Sequence, residues 1–348
     1  MSDRIPVTVL TGYLGAGKTT LVNRILAGRH GRRFAVIVNE LGEIGIDGEL
    51  IVGSDEELVE LSNGCVCCTV RGDLVRTVRA LLAREPAPEA ILVETTGVAA
   101  PAPVAQTFLV DHVLVKRTRL DSITTLVDSR HIDDRLDDSR EAVEQVAFAD
   151  QIVLNKTELA EPDKLAATEA RLRRLNPLAP IIRAVRADVP IDELLGRGAF
   201  DLQRIVSLEP HILNSGSACD EPGHVHDENC AHGHAHIGST GSHMADSDIQ
   251  SVSLSAARPL DLDKAQAWVT ALAAFRGRDI LRMKGILDIA GDARRLVVQA
   301  VHMQLDGDFQ REWREGEPRN SRLVLIGRNL DGNALQREFE GCAAGGRD

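Results

Sequence analysis

Aromatic residues make up only 3% of this 348-residue chain, with one tyrosine, two tryptophans and seven phenylalanines. That scarcity removes the stacking platforms on which single-stranded nucleic acids are held. Positive charge is also in deficit: 40 lysines and arginines face 52 aspartates and glutamates, for a formal net charge of −12. A cationic groove for phosphate backbones is therefore not expected. No stretch approaches the roughly 18 consecutive apolar residues of a membrane-spanning helix. The segment from Met1 to Pro6 leads directly into an apolar run and does not read as a cleavable secretion signal. The expectation is a cytoplasmic protein with no nucleic-acid or membrane partner. In that compartment its six cysteines read as metal ligands or reduced thiols rather than disulfides.

What is present is concentrated in a few short motifs. Gly12-Tyr13-Leu14-Gly15-Ala16-Gly17-Lys18-Thr19 fits the phosphate-loop pattern G-x-x-x-x-G-K-[ST] at every fixed position. An apolar run precedes it at 7–10, and a helical pattern follows from Thr20. The backbone N–H groups of Gly12, Gly15, Ala16, Gly17 and Thr20 are expected around phosphates. Lys18 would neutralise the β- and γ-phosphates and the Thr19 hydroxyl would ligate Mg²⁺. A chance glycine-rich turn would lack this flanking strand and helix.

Downstream, Ile91-Leu92-Val93-Glu94-Thr95-Thr96-Gly97 reads as a buried strand delivering a carboxylate. Glu94 could hold Mg²⁺ through water or orient an attacking water, and Gly97 would let its N–H approach a γ-phosphate. Asn155-Lys156-Thr157-Glu158 follows another apolar run and is similar to the N-K-x-D guanine-reading motif. A carboxylate there accepts two hydrogen bonds that guanine offers and adenine does not. Glu158 stands where Asp is usual, one methylene longer. An ordinary Asn-Lys turn is the competing reading.

Asn63-Gly64-Cys65-Val66-Cys67-Cys68-Thr69 groups three soft donors in one loop. Cys65, Cys67 and Cys68 as thiolates suit Zn²⁺, with Co²⁺ as a second choice, and leave a fourth tetrahedral position open. Buried cysteines would not need the polar Asn-Gly flank. A disulfide between adjacent Cys67 and Cys68 would be strained. Between the second strand and this loop, Glu40 and Glu43 lie in a Gly- and acid-rich segment that suits a switch loop. Either is a candidate to complete the metal shell, against the plainer reading of a solvated acidic loop. His224, His226, His232, His234 and His236 form a tract suited to weak, multi-site metal binding. Catalysis is not expected there, because such a segment cannot preorganise a site.

Apolar runs at 7–10, 34–38, 58–61, 90–93, 123–127, 151–154 and 181–182 alternate with helical patterns near 19–26, 73–84, 140–148 and 163–175. That alternation predicts an α/β domain over 1–210, built on a mostly parallel sheet. Residues 211–248, rich in Gly, Ser, His and Asp, read as a flexible linker. Over 249–348 the order strand 251–254, helix 261–275, strands 280–287, 295–302 and 323–327, and helix 334–339 predicts a smaller α+β domain with a split βαβ sheet.

Taken together, these residues make the chain similar to the CobW family of metallochaperone GTPases. The resemblance rests on Pro6 through Thr20, on Val38-Asn39-Glu40 with Gly45-Ile46-Asp47, on the Cys loop, on Glu94-Thr95-Thr96-Gly97 and on Asn155-Lys156. It continues through the His-rich stretch, Arg282-Met283-Lys284-Gly285 and Ile326-Gly327-Arg328. Gln106-Thr107-Phe108 and Glu144 through Asp150 look more like the zinc-chaperone branch than the cobalamin-pathway branch. The resemblance implies a P-loop GTPase domain using GTP and Mg²⁺, joined to a smaller C-terminal domain. It also implies zinc or cobalt at C-x-C-C, handed to a client metalloprotein under control of the nucleotide. A metal-buffering or sensing protein with a structural nucleotide and a P-loop small-molecule kinase are the alternatives. Whether copies of the chain assemble with one another stays open.

Overall fold

The computed structural model describes residues 4–28, 33–39, 57–61, 68–199, 249–301 and 304–345. Seven parallel strands form the first sheet: β1 (Ile5–Thr11), β2 (Phe34–Asn39), β3 (Glu57–Leu61), β4 (Ala90–Glu94), β5 (Thr118–Asp128), β6 (Gln151–Asn155) and β7 (Ile181–Arg183). Their order is β3-β2-β4-β1-β5-β6-β7. All seven sequence-expected strands are present, with longer ends.

Strand alternation decides what covers each face. Leu10, Phe34, Val36, Val38 and Leu92 pack on one side against α1 (Lys18–Ala27), through Leu21, Val22, Ile25 and Leu26. Their neighbours Val7, Val9, Ala35, Ile37, Ile91 and Val93 face the other side. There they meet α2 (Cys68–Leu82) and α3 (Ala102–Val110), through Leu74, Val78, Leu81 and Phe108. With both faces covered, each strand is apolar at odd and even positions alike, as parallel sheets require. Each fully buried side chain of this kind contributes about 1.5–3 kcal/mol.

Four helices were not expected from sequence: α3, the short α4 (Leu114–Arg117), α5 (Ile132–Asp138), which precedes α6 (Arg140–Phe148), and a single turn over Ile191–Leu194. The start of α2 also differs from expectation. It begins at Cys68, so the third cysteine of the C-x-C-C run opens a helix instead of lying in the loop.

The second sheet has the order β11-β10-β9-β12-β8 and is antiparallel at every pairing. Its strands are β8 (Ile249–Ala256), β9 (Ile280–Asp288), β10 (Arg294–Val301), β11 (Gln304–Glu312) and β12 (Ser321–Arg328). β8, a helix over Leu262–Arg276 and β9 form the expected split βαβ unit, with β12 inserted between its two strands. Asp261 caps that helix by accepting from the Lys264 N–H at 3.0 Å, and Asp331 caps the last helix (Gly332–Gly341) through the Ala334 N–H at 3.0 Å. Each cap satisfies a donor that the helix start leaves open.

The two helices cover one face of this sheet, where Val269, Leu272, Leu335 and Phe339 meet Met283, Leu323 and Leu325. The opposite face, with Leu281, Ile286, Val297 and Ile326, shares a single apolar cluster with Phe148, Ile152 and Leu172 of the first domain. The second sheet is thus packed between its own helices and the first domain.

Candidate functional site

The phosphate loop leaves the carboxyl end of β1, where neighbours β4 and β5 lie on opposite sides. In open parallel sheets this reversal of strand order makes a crevice that takes ligands. Gly12, Gly15 and Gly17 all have positive φ, at 142°, 77° and 106°. At Gly17 two constraints coincide. Its backbone is left-handed, and a Cβ there would sit 2.6 Å from Asn155 Nδ2. Lys18 begins α1, is 8% exposed, and its Nζ donates to the Gly12 carbonyl at 2.8 Å. Thr19 beside it is half-buried and Thr20 exposed. A cradle that excludes Cβ atoms, next to an inward-folded lysine at a helix N-terminus, fits a phosphate chain with Thr19 available to Mg²⁺.

β4 ends at Glu94, 5% exposed. The next residue, Thr95, ties the two loops together: its N–H donates to Leu10 O at 2.9 Å and its hydroxyl to the Thr11 hydroxyl at 2.9 Å. Gly97 lies against the phosphate loop so closely that a Cβ would come within 2.8 Å of the Leu14 nitrogen. Gln145 on α6, to which sequence reading assigns no site role, donates from Nε2 to the carbonyls of Gly97 and Ala99, both at 3.1 Å.

Asn155, at the end of β6, is 2% exposed and bridges two loops. Its Nδ2 donates to Ala16 O at 2.9 Å and its Oδ1 accepts from the Ala187 N–H at 2.6 Å. Lys156 has φ 60° and donates from Nζ to Asp128 at 2.8 Å. Burial raises the Asp128 carboxyl pKa, but hydrogen bonds from Lys156, His131 and the Arg130 N–H, with the Lys156 charge, outweigh it and hold the group below its ordinary range. Glu158 is exposed in a 3₁₀ turn over Thr157–Leu159.

The turn at Arg186 and Ala187, with φ of 52° and 57°, is a second element that sequence reasoning missed. Two consecutive left-handed residues without glycine need outside support, and Asn155 supplies it. No local signal marks them, since Ala-Val-Arg-Ala is unremarkable on its own.

Cys65, Cys67, Glu40, Glu43 and the five linker histidines (His224, His226, His232, His234 and His236) lie outside the described residues. For Cys68 only the backbone at the start of α2 is described. No group of three or more metal-ligating side chains occurs among the described residues. The strand registers nevertheless locate the ends that lead into these segments. Asn39 pairs with Leu61, and Val38 with Glu94. Asn39 and Leu61, the last described residues before the Glu40 segment and the Cys loop, therefore end at the Glu94 edge, one and two strands away, about 5 and 10 Å at ordinary strand spacing.

Residues 6–183 match the family model described as CobW/HypB/UreG, nucleotide-binding domain, and residues 249–343 match the cobalamin synthesis protein cobW C-terminal domain. The zinc chaperone YjiA of Escherichia coli (strain K12) is 33% identical, over 97% of this chain and 98% of its own. The zinc chaperone CobW of a Sinorhizobium species is 32% identical over 93% of each chain. The zinc-regulated GTPase metalloprotein activator 1 of Schizosaccharomyces pombe is 37% identical over 67% of this chain and 59% of its own. The crystal structure of Zn(II)-bound YjiA GTPase from E. coli superposes with a TM-score of 0.74 at 28% identity, covering 98% of this chain and all of that one.

Proposed function

The chain belongs to the CobW/HypB/UreG family, and on that premise we propose that it is a GTP-hydrolysing metallochaperone. In this reading Cys65, Cys67 and Cys68 carry zinc, and the nucleotide state governs its release to a client metalloprotein. The observation that supports it is the shared edge: the phosphate loop, Glu94, and the strand ends Asn39 and Leu61 that precede the Glu40 segment and the Cys loop all lie on the same carboxyl side of one sheet. A rearrangement around the γ-phosphate then reaches the metal loop across only two strands.

The chain's own groups divide the work. Lys18 exchanges its bond to the Gly12 carbonyl for the β- and γ-phosphates. Glu94 orients the attacking water, and the Gly97 N–H meets the γ-phosphate. Mg²⁺, when bound at Thr19, neutralises charge on the phosphate oxygens. Glu158 accepts hydrogen bonds from the guanine edge, while Asn155 holds that loop on the phosphate loop.

The test is zinc affinity measured with a GTP analogue, with GDP and without nucleotide. Coupling of ordinary size gives about 5- to 150-fold tighter zinc with the analogue, and zinc must tighten the analogue by the same factor. Equal zinc affinity in all three states would remove the delivery cycle and favour a zinc-buffering protein.

A further inference from the structure

Helix α6 is gripped from two sides. On one side Gln145, 1% exposed, uses its amide on the carbonyls of Gly97 and Ala99, and the Thr125 hydroxyl donates to the Gln145 carbonyl at 2.7 Å. The turn carrying Gly97 closes on itself through the Ala99 N–H to the Thr96 carbonyl at 3.1 Å, and the helix side chain holds it from outside. On the other side Glu144 pairs with Arg328 of β12. Successive helix residues point about 100° apart, so adjacent positions of one helix face the Gly97 turn and the second domain.

Asp150, just past the end of α6, completes the grip. It is 4% exposed and takes Arg282 and Lys284 of β9, the latter at 3.2 Å, while also accepting from the Ile123 N–H at 2.9 Å. Arg282 and Lys284 are each 1% exposed. Charges so deeply buried are held by a fixed geometry that a small helix shift would disturb.

We propose that Gln145 is a positioning residue for the γ-phosphate turn, and that the second domain, acting through Arg328 on Glu144 and through Arg282 and Lys284 on Asp150, sets where that residue stands. The nucleotide state and the domain junction are then two readings of one helix position. The inference rests on the GTPase reading above. It adds that the C-terminal domain tunes the GTP-bound state without touching nucleotide.

Both tryptophans, Trp268 and Trp313, belong to the second domain. Trp313 packs on the apolar cluster that spans the junction, whereas Trp268 stacks on Phe339 away from it. In a Trp268→Phe background, Trp313 is the sole tryptophan and its emission reads that shared cluster. The GTP analogue is expected to change that emission more than GDP does. Gln145→Met and Arg328→Met are each expected to erase the difference. Each should also weaken the analogue by about 3- to 30-fold relative to GDP, the range for residues that transmit coupling. Equal weakening of both nucleotides, or a full emission difference surviving in either variant, would overturn the relay. A wild type that binds GTP analogue and GDP but shows one emission spectrum with both sinks the relay alone. A wild type that binds neither sinks the GTPase reading with it.

Discussion

Two lysines are buried among the described residues, and they are held in opposite ways. Lys18 lies at the first domain's ligand edge and donates to a carbonyl of its own loop. Lys284 lies in the second domain's sheet and meets a carboxylate from the other domain. A bond from an ammonium to a neutral carbonyl is exchanged at a net cost of about 1.5–3 kcal/mol. A buried ion pair cannot open without leaving an uncompensated charge, at about 3–5 kcal/mol. The first arrangement suits a cation that can turn toward a phosphate, and the second suits a seal.

The sharpest way to break this contrast is Asp150→Ala. It removes the carboxylate that Arg282 and Lys284 share and is expected to cost about 3–5 kcal/mol in chemical denaturation. Replacing both cations by methionine in the same chain should recover much of the loss, because volume-matched apolar groups tolerate burial. If Asp150→Ala costs under 1 kcal/mol, the junction is wet and the seal does not exist.

Lys18→Met should behave in the reverse manner. Denaturation midpoints stay near wild type, whereas GTP-analogue affinity falls about 10- to 100-fold, the worth of a charge-assisted contact. Calorimetric titration decides. Undiminished affinity would mean that phosphates bind elsewhere.

The smallest effect concerns acid. Partial burial raises Glu317, but hydrogen bonds from Arg311 and the Arg314 N–H, and the charges of Arg295 and Arg311, bring it down to about 2. A carboxyl depressed on folding adds stability above its ordinary value near 4.5 and loses it as pH falls toward 2. The corner around Trp313 should therefore loosen between pH 4.5 and 2, followed by its emission, and Glu317→Gln should flatten that dependence.

What was legible in the sequence was contiguous. The phosphate loop, Glu94 through Gly97 and Asn155 through Glu158 each hold their chemistry within a few residues, and strands buried on both faces announce themselves as apolar runs. α3 escaped because Pro101 and Pro103 mark its start and its residues are apolar on most sides, leaving no helical period. β11 escaped for the opposite reason: Gln304–Glu312 is a largely exposed edge strand, polar and interrupted by Gly307, and reads as loop. Gln145, Ala187 and Arg282 were invisible as site residues because their partners lie 48, 32 and 132 positions away. Only the fold brings them together.

Asn155 limits how this molecule can be re-engineered. Its amide fills the space a side chain at Gly17 would need, and its oxygen supports a left-handed turn at Ala187. The parts that read the base and the parts that grip the phosphates are therefore not exchangeable modules. A graft of residues 155–158 from a protein of different nucleotide preference would have to carry 12–19 and 184–188 with it. Transplanted alone, it would arrive without the partners that give it its shape.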